Sequence, residues 1–193
     1  MGVMMKRQHW IIAALTALTG LALLAGIGDS RTMYRLSSYL HTHAAAVFAL
    51  GLAVCVASLM LNRRGNAALL ALYLLFIAYM TLMYRDAVAN RLNLELFWSY
   101  RQFLSAPGMR MEILFNIWLF VPLGLILYRL TGRPWAALIA VAVSAAIELT
   151  QYALGIGLCE LDDIVSNGLG GGLGCLLGIA AGRLRDLRRT KEA

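Results

Sequence analysis

Apolar residues gather into six long runs along the chain, at 10–28, 44–61, 67–84, 113–128, 135–153 and 164–182, divided by short polar or charged stretches. Each run holds roughly 16 to 19 residues, close to the ~20 with which a helix crosses a hydrocarbon layer. The pattern therefore predicts an all-α, polytopic membrane protein with about six transmembrane helices. The first run follows Lys6 and Arg7, as a secretory signal would, but its length and the lack of a clean small-x-small site before Asp29 favour an uncleaved span. Between the third and fourth runs, residues 85–112 are too many for a plain helix-to-helix turn. Here Leu92, Leu96, Phe97, Tyr100, Phe103 and Leu104 recur at helical spacing, with Asn93, Glu95, Arg101 and Gln102 on other faces. Two readings fit: an amphipathic helix lying in the membrane interface, and a loop packed over the bundle. Residues 1–91 thus hold the first three spans and the start of this segment. Residues 92–193 hold the rest of it, the last three spans and a basic tail from Arg183 that suits anionic lipid.

Composition sharpens the class. Of 193 residues, 61% are hydrophobic and 14% charged, and the mean hydropathy is +0.72; soluble domains are nearer 45–50% apolar and about 25% charged. An ordinary cytosolic enzyme is excluded. The net charge of +7 does not point to nucleic acid, because the basic residues flank apolar runs and form no stripe interleaved with aromatics. Their distribution speaks instead to orientation. Eleven Lys and Arg fall on the side that carries both termini, and six (Arg31, Arg35, Arg85, Arg91, Arg101 and Arg110) fall on the other. The positive-inside bias then puts both termini in the cytoplasm of an inner or plasma membrane, with membrane lipids as the first partners. Most acidic residues, among them Glu95, Glu160, Asp162 and Asp163, collect on the outer side. Three cysteines, two of them inside apolar runs, offer neither a disulfide framework nor a CxxC site.

Glu148 is the single charged residue inside the six runs. A carboxylate there costs on the order of 3 kcal/mol on insertion scales unless it finds a partner or water, and such residues mark function by default. Ser144 precedes it by four and Gln151 follows by three, so the three share one helix face. A bland alternative is an inter-helix hydrogen bond or a snorkelling carboxylate. Asp162 and Asp163 open the sixth run, where acidic groups favour a helix N-terminus; Asn167 lies a turn further in, at an apolar depth that capping does not explain. Asn116 sits at matching depth on the fourth run, followed by Phe120, Pro122 and Gly124, and Pro122 removes a backbone donor and predicts a kink. Gly170, Gly174, Gly178 and Gly182 recur every fourth residue, a small-xxx-small face for close packing rather than a phosphate loop. The expected site is a polar cluster of Asn116, Glu148, Gln151, Asp162, Asp163 and Asn167 at the outer membrane boundary.

These residues resemble the VanZ-like membrane proteins, whose pattern runs N-x-x-x-F-x-P-x-G, then E-x-x-Q, then D-D-x-x-x-N followed by glycines. The chain supplies Asn116, Phe120, Pro122 and Gly124, then Glu148 and Gln151, then Asp162, Asp163, Asn167 and Gly170, in that order. It departs in two places: residues 155–159 lack the Arg common before the acidic pair, and Asn93-Leu94-Glu95-Leu96-Phe97 lacks a Pro common there. The resemblance implies a connection with teicoplanin-type resistance and with lipid-linked envelope molecules or lipoglycopeptides as ligands.

Three functions compete. One is an outward-facing protein that binds or modifies such an amphipathic molecule, with Glu148 central and Asn116, Gln151 and Asn167 orienting. A second is a membrane enzyme in which carboxylates hold a divalent cation or act as acid and base; no cofactor is expected from a motif, since HExxH and a histidine cluster are absent and His9, His41 and His43 lie at span edges. The third is a small transporter or flippase relaying through Glu148, against which stands the gathering of polar residues at one face. Oligomeric state is not legible.

Overall fold

A computed structural model describes residues 36–83 and 92–192. The described residues are mostly helical. In order come α1 (Leu36–Met60), α2 (Arg63–Ala78) prolonged by a wider π-helical turn (Tyr79–Met83), β1 (Leu92–Asn93), the single turn α3 (Trp98–Arg101), α4 (Pro107–Thr131), α5 (Ala136–Leu154), β2 (Cys159–Glu160) and α6 (Leu161–Glu192). Among the described residues four helical stretches are long and apolar enough to cross a membrane: Arg63–Met83, Gly108–Thr131, Ala136–Leu154 and Leu161–Leu184; Ala46–Met60 is a shorter apolar helix. They coincide with the third to sixth apolar runs, and α1 with the second. The first run, 10–28, lies outside the described residues. Leu75, Leu138 and Leu149 are 69%, 67% and 63% exposed, which suits hydrocarbon and would be a liability in water. This is a membrane protein.

Local chemistry sets the helix ends. The Asn62 side chain accepts the Gly65 N–H at 2.9 Å and caps α2. Gly132 and Gly155 close α4 and α5 in the left-handed conformation, at φ 67° and 66°. The turn between α1 and α2 is tied internally: the Ser58 hydroxyl donates to Asn66 Oδ1 at 2.6 Å, and Asn66 Nδ2 donates to the carbonyls of Ser58, Leu61 and Asn62. Arg129, from the end of α4, donates to the Ser58 and Leu61 carbonyls there.

Helix α4 is the hub, packing against α6, α5, α2 and α1. Its Leu119, Phe120, Leu123 and Ile126 are almost wholly buried, and Tyr73 of α2 donates its hydroxyl to the Leu119 carbonyl at 2.9 Å. The α4–α6 seam is made by missing side chains. A Cβ on Gly124 would overlap the Gly171 carbonyl, one on Gly170 the Ile117 carbonyl, one on Gly174 the Val121 carbonyl, and one on Gly178 the Tyr128 ring. Gly182 faces open space. Pro122 lies fully buried within α4, which continues unbroken as a helix through it.

The segment that carried two readings is a packed loop. In place of an amphipathic helix over 92–104 there is a two-residue strand and one helical turn. Leu92–Asn93 pairs in parallel with Cys159–Glu160, and Phe97 adopts φ 63°, left-handed for a non-glycine residue. The physical reason is competition for backbone donors, since the Asp162 carboxylate takes the Phe97 and Ser99 N–H groups that a continuing helix would use internally.

Candidate functional site

One end of the bundle, where α4 and α6 begin and α5 finishes, collects the polar residues. Helix α5 turns Ser144, Glu148 and Gln151 inward from one face, with exposures of 0%, 2% and 0%. Glu148 Oε2 accepts the Glu160 backbone N–H at 3.0 Å, fastening the end of α5 to β2. Glu160 Oε1 in turn accepts from Asn93 Nδ2 at 3.4 Å across the strand pair. On α6, Asp163 Oδ1 accepts from Asn116 Nδ2 of α4 at 2.7 Å, and one turn deeper Asn167 Nδ2 donates to the Ser144 hydroxyl at 2.8 Å. The glycine seam is what lets α6 come near enough for the Asn116 bond. Glu112, one turn before Asn116, joins Glu160 and Asp163 in a trio whose carboxylate oxygens lie within 4.8 Å of one another. Like charges this close need compensating donors, a shared proton or a cation.

The negative field shows on a neighbour. Cys159, in β2 outside the spans, has its thiol raised above the ordinary 9.0 by burial first and then by the charges of Glu148, Glu160 and Asp163. A thiol held protonated is a poor nucleophile. The acidic group is therefore suited to accepting hydrogen bonds, holding positive charge or exchanging protons, and not to covalent thiol chemistry.

Two of the six expected residues have other partners. Asp162, 1% exposed, accepts from the Phe97 N–H at 2.6 Å, the Ser99 N–H at 2.9 Å and the Ser99 hydroxyl at 2.6 Å, so it pins the loop over the site. Beside it the Tyr100 hydroxyl and Ser166 Oγ share a hydrogen bond of 2.7 Å. The Tyr100 phenol is raised, by burial first, with the Ser166 bond opposing and Asp162 and Asp163 adding. Gln151 donates to the Thr81 carbonyl at 2.8 Å and so ties α5 to α2. Gln151 Oε1 and Asn167 Oδ1 are buried without a hydrogen-bond partner among the described residues, and acceptors of that kind are ordinarily met by water or a ligand.

Glu112 and Glu160 are the members that the sequence reading missed as site residues. Their signal was present in the spacing: Glu112 stands four before Asn116, one helical turn away, and Glu160 stands two before Asp162 and three before Asp163. A family model described as VanZ/LLP1 matches residues 70–182, which is more than half of the chain and includes every residue of this site. No curated protein and no solved structure matches.

Proposed function

The chain belongs to the VanZ/LLP1 family, and from that premise we propose that it engages the head of an amphipathic, lipid-linked envelope molecule or lipoglycopeptide at an outward-facing acidic site. The observation that carries this reading is the convergence of Glu112, Glu148, Glu160 and Asp163 at one end of a set of membrane-crossing helices. A buried acidic group at a membrane boundary suits a ligand with cationic or hydroxyl-rich chemistry on its head and hydrocarbon on its tail. The covering loop supports it too, since Leu94, Phe97 and Leu104 stand 65%, 49% and 86% exposed beside the acids, an apolar fringe of the sort that meets a lipid interface. In this reading the chain has six spans with both termini in the cytoplasm of an inner or plasma membrane, as the excess of Lys and Arg at that end supports.

The test is the susceptibility of cells carrying wild type, Glu148→Gln or Glu160→Gln to a lipidated glycopeptide and to its non-lipidated counterpart. The host must have an envelope that these drugs reach, and membrane expression must be matched. Protection against the lipidated drug alone, lost in both variants, is expected. Equal susceptibility in wild-type and empty cells would overturn the lipoglycopeptide reading.

A second reading, a membrane enzyme with a divalent cation, is favoured by one observation, the approach of Glu112, Glu160 and Asp163 within 4.8 Å. Oxygen-only ligands of this kind suit Mg2+ or Ca2+. It expects purified protein to gain thermal stability with one of these ions and to lose that gain on chelation and in Glu160→Gln; indifference to both ions would end it.

A further inference from the structure

The end of the bundle opposite the acidic site is basic. Arg63 and Arg64 open α2, Arg133 stands in the turn from α4 to α5, and Arg183 lies on α6; all four are exposed, and none has an ion-pair partner among the described residues. Beyond Arg183 the end of α6 adds four more Arg and Lys residues against one Asp and one Glu. Contacts inside the fold gather these elements. Arg129, near the end of α4, donates to the Ser58 and Leu61 carbonyls of the α1–α2 turn at 3.3 and 3.2 Å, and the Tyr128 ring fills the space left at Gly178 of α6. The same bonds matter electrically, because carbonyls at the end of α1 that would repel an anion are already taken by Asn66 and Arg129. The α4–α5 turn is tied as well: the Gly132 N–H donates to the Tyr128 carbonyl at 2.7 Å, and the Arg133 N–H to Thr131 Oγ1 at 3.2 Å. Two braced turns thus present Arg63, Arg64 and Arg133 to the surroundings.

We propose that this end binds the phosphate headgroup of an anionic phospholipid, with Arg63, Arg64 and Arg133 as the phosphate contacts. Charge selects the partner. A guanidinium meets phosphate through two parallel N–H donors, and these three are exposed on turns whose own acceptors are occupied. Apolar surface at the same end selects a lipid over a soluble anion. Trp135, two residues after Arg133, is 53% exposed, and Leu184 and Leu187 of α6 are 62% and 59% exposed after Arg183. Tryptophan settles at headgroup level, with its ring on hydrocarbon and its N–H toward phosphate and water. Leu184 closes the apolar stretch of α6 and Leu187 lies beyond it, where an exposed leucine gains from acyl chains and loses in water. A second copy of the chain is a poor cover for these leucines, because two tails with charge mostly of one sign repel each other. The surface is independent of whatever the acidic site binds.

The test is titration of the full-length protein, in a neutral detergent, with phosphatidylglycerol and with phosphatidylcholine, read by native mass spectrometry of the lipid that stays bound. Wild type is expected to hold phosphatidylglycerol at least tenfold more tightly than phosphatidylcholine. The triple variant Arg63→Gln, Arg64→Gln, Arg133→Gln is expected to weaken phosphatidylglycerol binding on the order of 100-fold, about five-fold per arginine. Arg101→Gln and Arg110→Gln, at the acidic end, should leave it unchanged. Lysine at the same three positions keeps the charge and is expected to keep most of the binding, so it carries the test if the glutamine variant unfolds at a lower temperature. Equal affinity for the two lipids, or an equal loss in the variants of the acidic end, would overturn the proposal. Inorganic pyrophosphate and glycerol phosphate are expected to compete only weakly. Displacement of phosphatidylglycerol by either at comparable concentration would make a soluble phosphate compound the ligand and would also overturn it.

Discussion

Asp162 and Asp163 are adjacent, yet their side chains do different work. Asp163 faces Asn116 and the acidic trio, whereas Asp162 accepts two backbone N–H groups and one hydroxyl from the covering loop. Removing a buried acceptor of this kind leaves three donors unpaired. Asp162→Ala is therefore expected to cost roughly 2–4 kcal/mol and Ser99→Ala about 1 kcal/mol, read by thermal unfolding in detergent. Proteolysis within 92–104 should quicken in Asp162→Ala, and an unchanged cleavage pattern would show that something else holds the loop. Cys159 gives a second test at this scale. Its thiol is raised by burial and by Glu148, Glu160 and Asp163, so the fold favours the protonated form. The stability that follows is fully present below the ordinary 9.0 and is lost as pH rises through the higher folded value. Alkylation of Cys159 should accordingly rise with a midpoint above 9.0, and Glu148→Gln or Glu160→Gln should move that midpoint down. A midpoint at the ordinary value in wild type would mean that neither burial nor these charges acts on the thiol.

Among the elements, the α4–α6 seam separates glycines that are needed from glycines that are not. Gly124, Gly170 and Gly174 meet carbonyls of the facing helix, while Gly172 and Gly182 have nothing within 4 Å of a added Cβ. Alanine at any of the first three is expected to cost about 1–3 kcal/mol or more, by forcing the helices apart. Alanine at Gly172 or Gly182 is expected to be neutral or to stabilise by up to roughly 1 kcal/mol through helix propensity. Thermal unfolding of the five variants checks the contrast, and a uniform loss would show that the seam is not the reason. This periodicity of four was legible in the sequence, as were the apolar runs and the inward face of Ser144, Glu148 and Gln151, because all are properties of a single helix. What was not legible is which neighbour each face meets. Gln151 finds the Thr81 carbonyl rather than the acids, and the helical spacing of Leu92 to Leu104 yields to a strand pair and a one-turn helix, because a carboxylate far along the chain claims the local donors. In the sequence Glu112 stands at the end of a polar stretch, and it becomes a site residue only because α4 begins at Pro107.

At the scale of the whole molecule, the acidic site and the basic tail are at opposite ends of one helix: α6 starts at Leu161 beside Asp162 and Asp163 and ends at Glu192 among Arg and Lys residues. One topology experiment therefore orients everything. The three native cysteines are all buried, which leaves a quiet background for cysteines introduced at exposed positions. Leu94 is 65% exposed at the acidic end and Leu187 is 59% exposed in the tail. With a membrane-impermeant thiol reagent on intact cells, Leu94→Cys is expected to be labelled, and Leu187→Cys only after the membrane is opened. The reverse result would place the acidic site in the cytoplasm, where positive charge is expected to be in excess and not negative. A ligand arriving from the envelope side could not then reach Glu148 or Glu160, so the orientation bears directly on the proposed activity. Labelling of Leu94→Cys from outside would instead leave a buried acidic group just below an apolar fringe at the outer surface, the arrangement that a molecule with a polar head and a hydrocarbon tail requires.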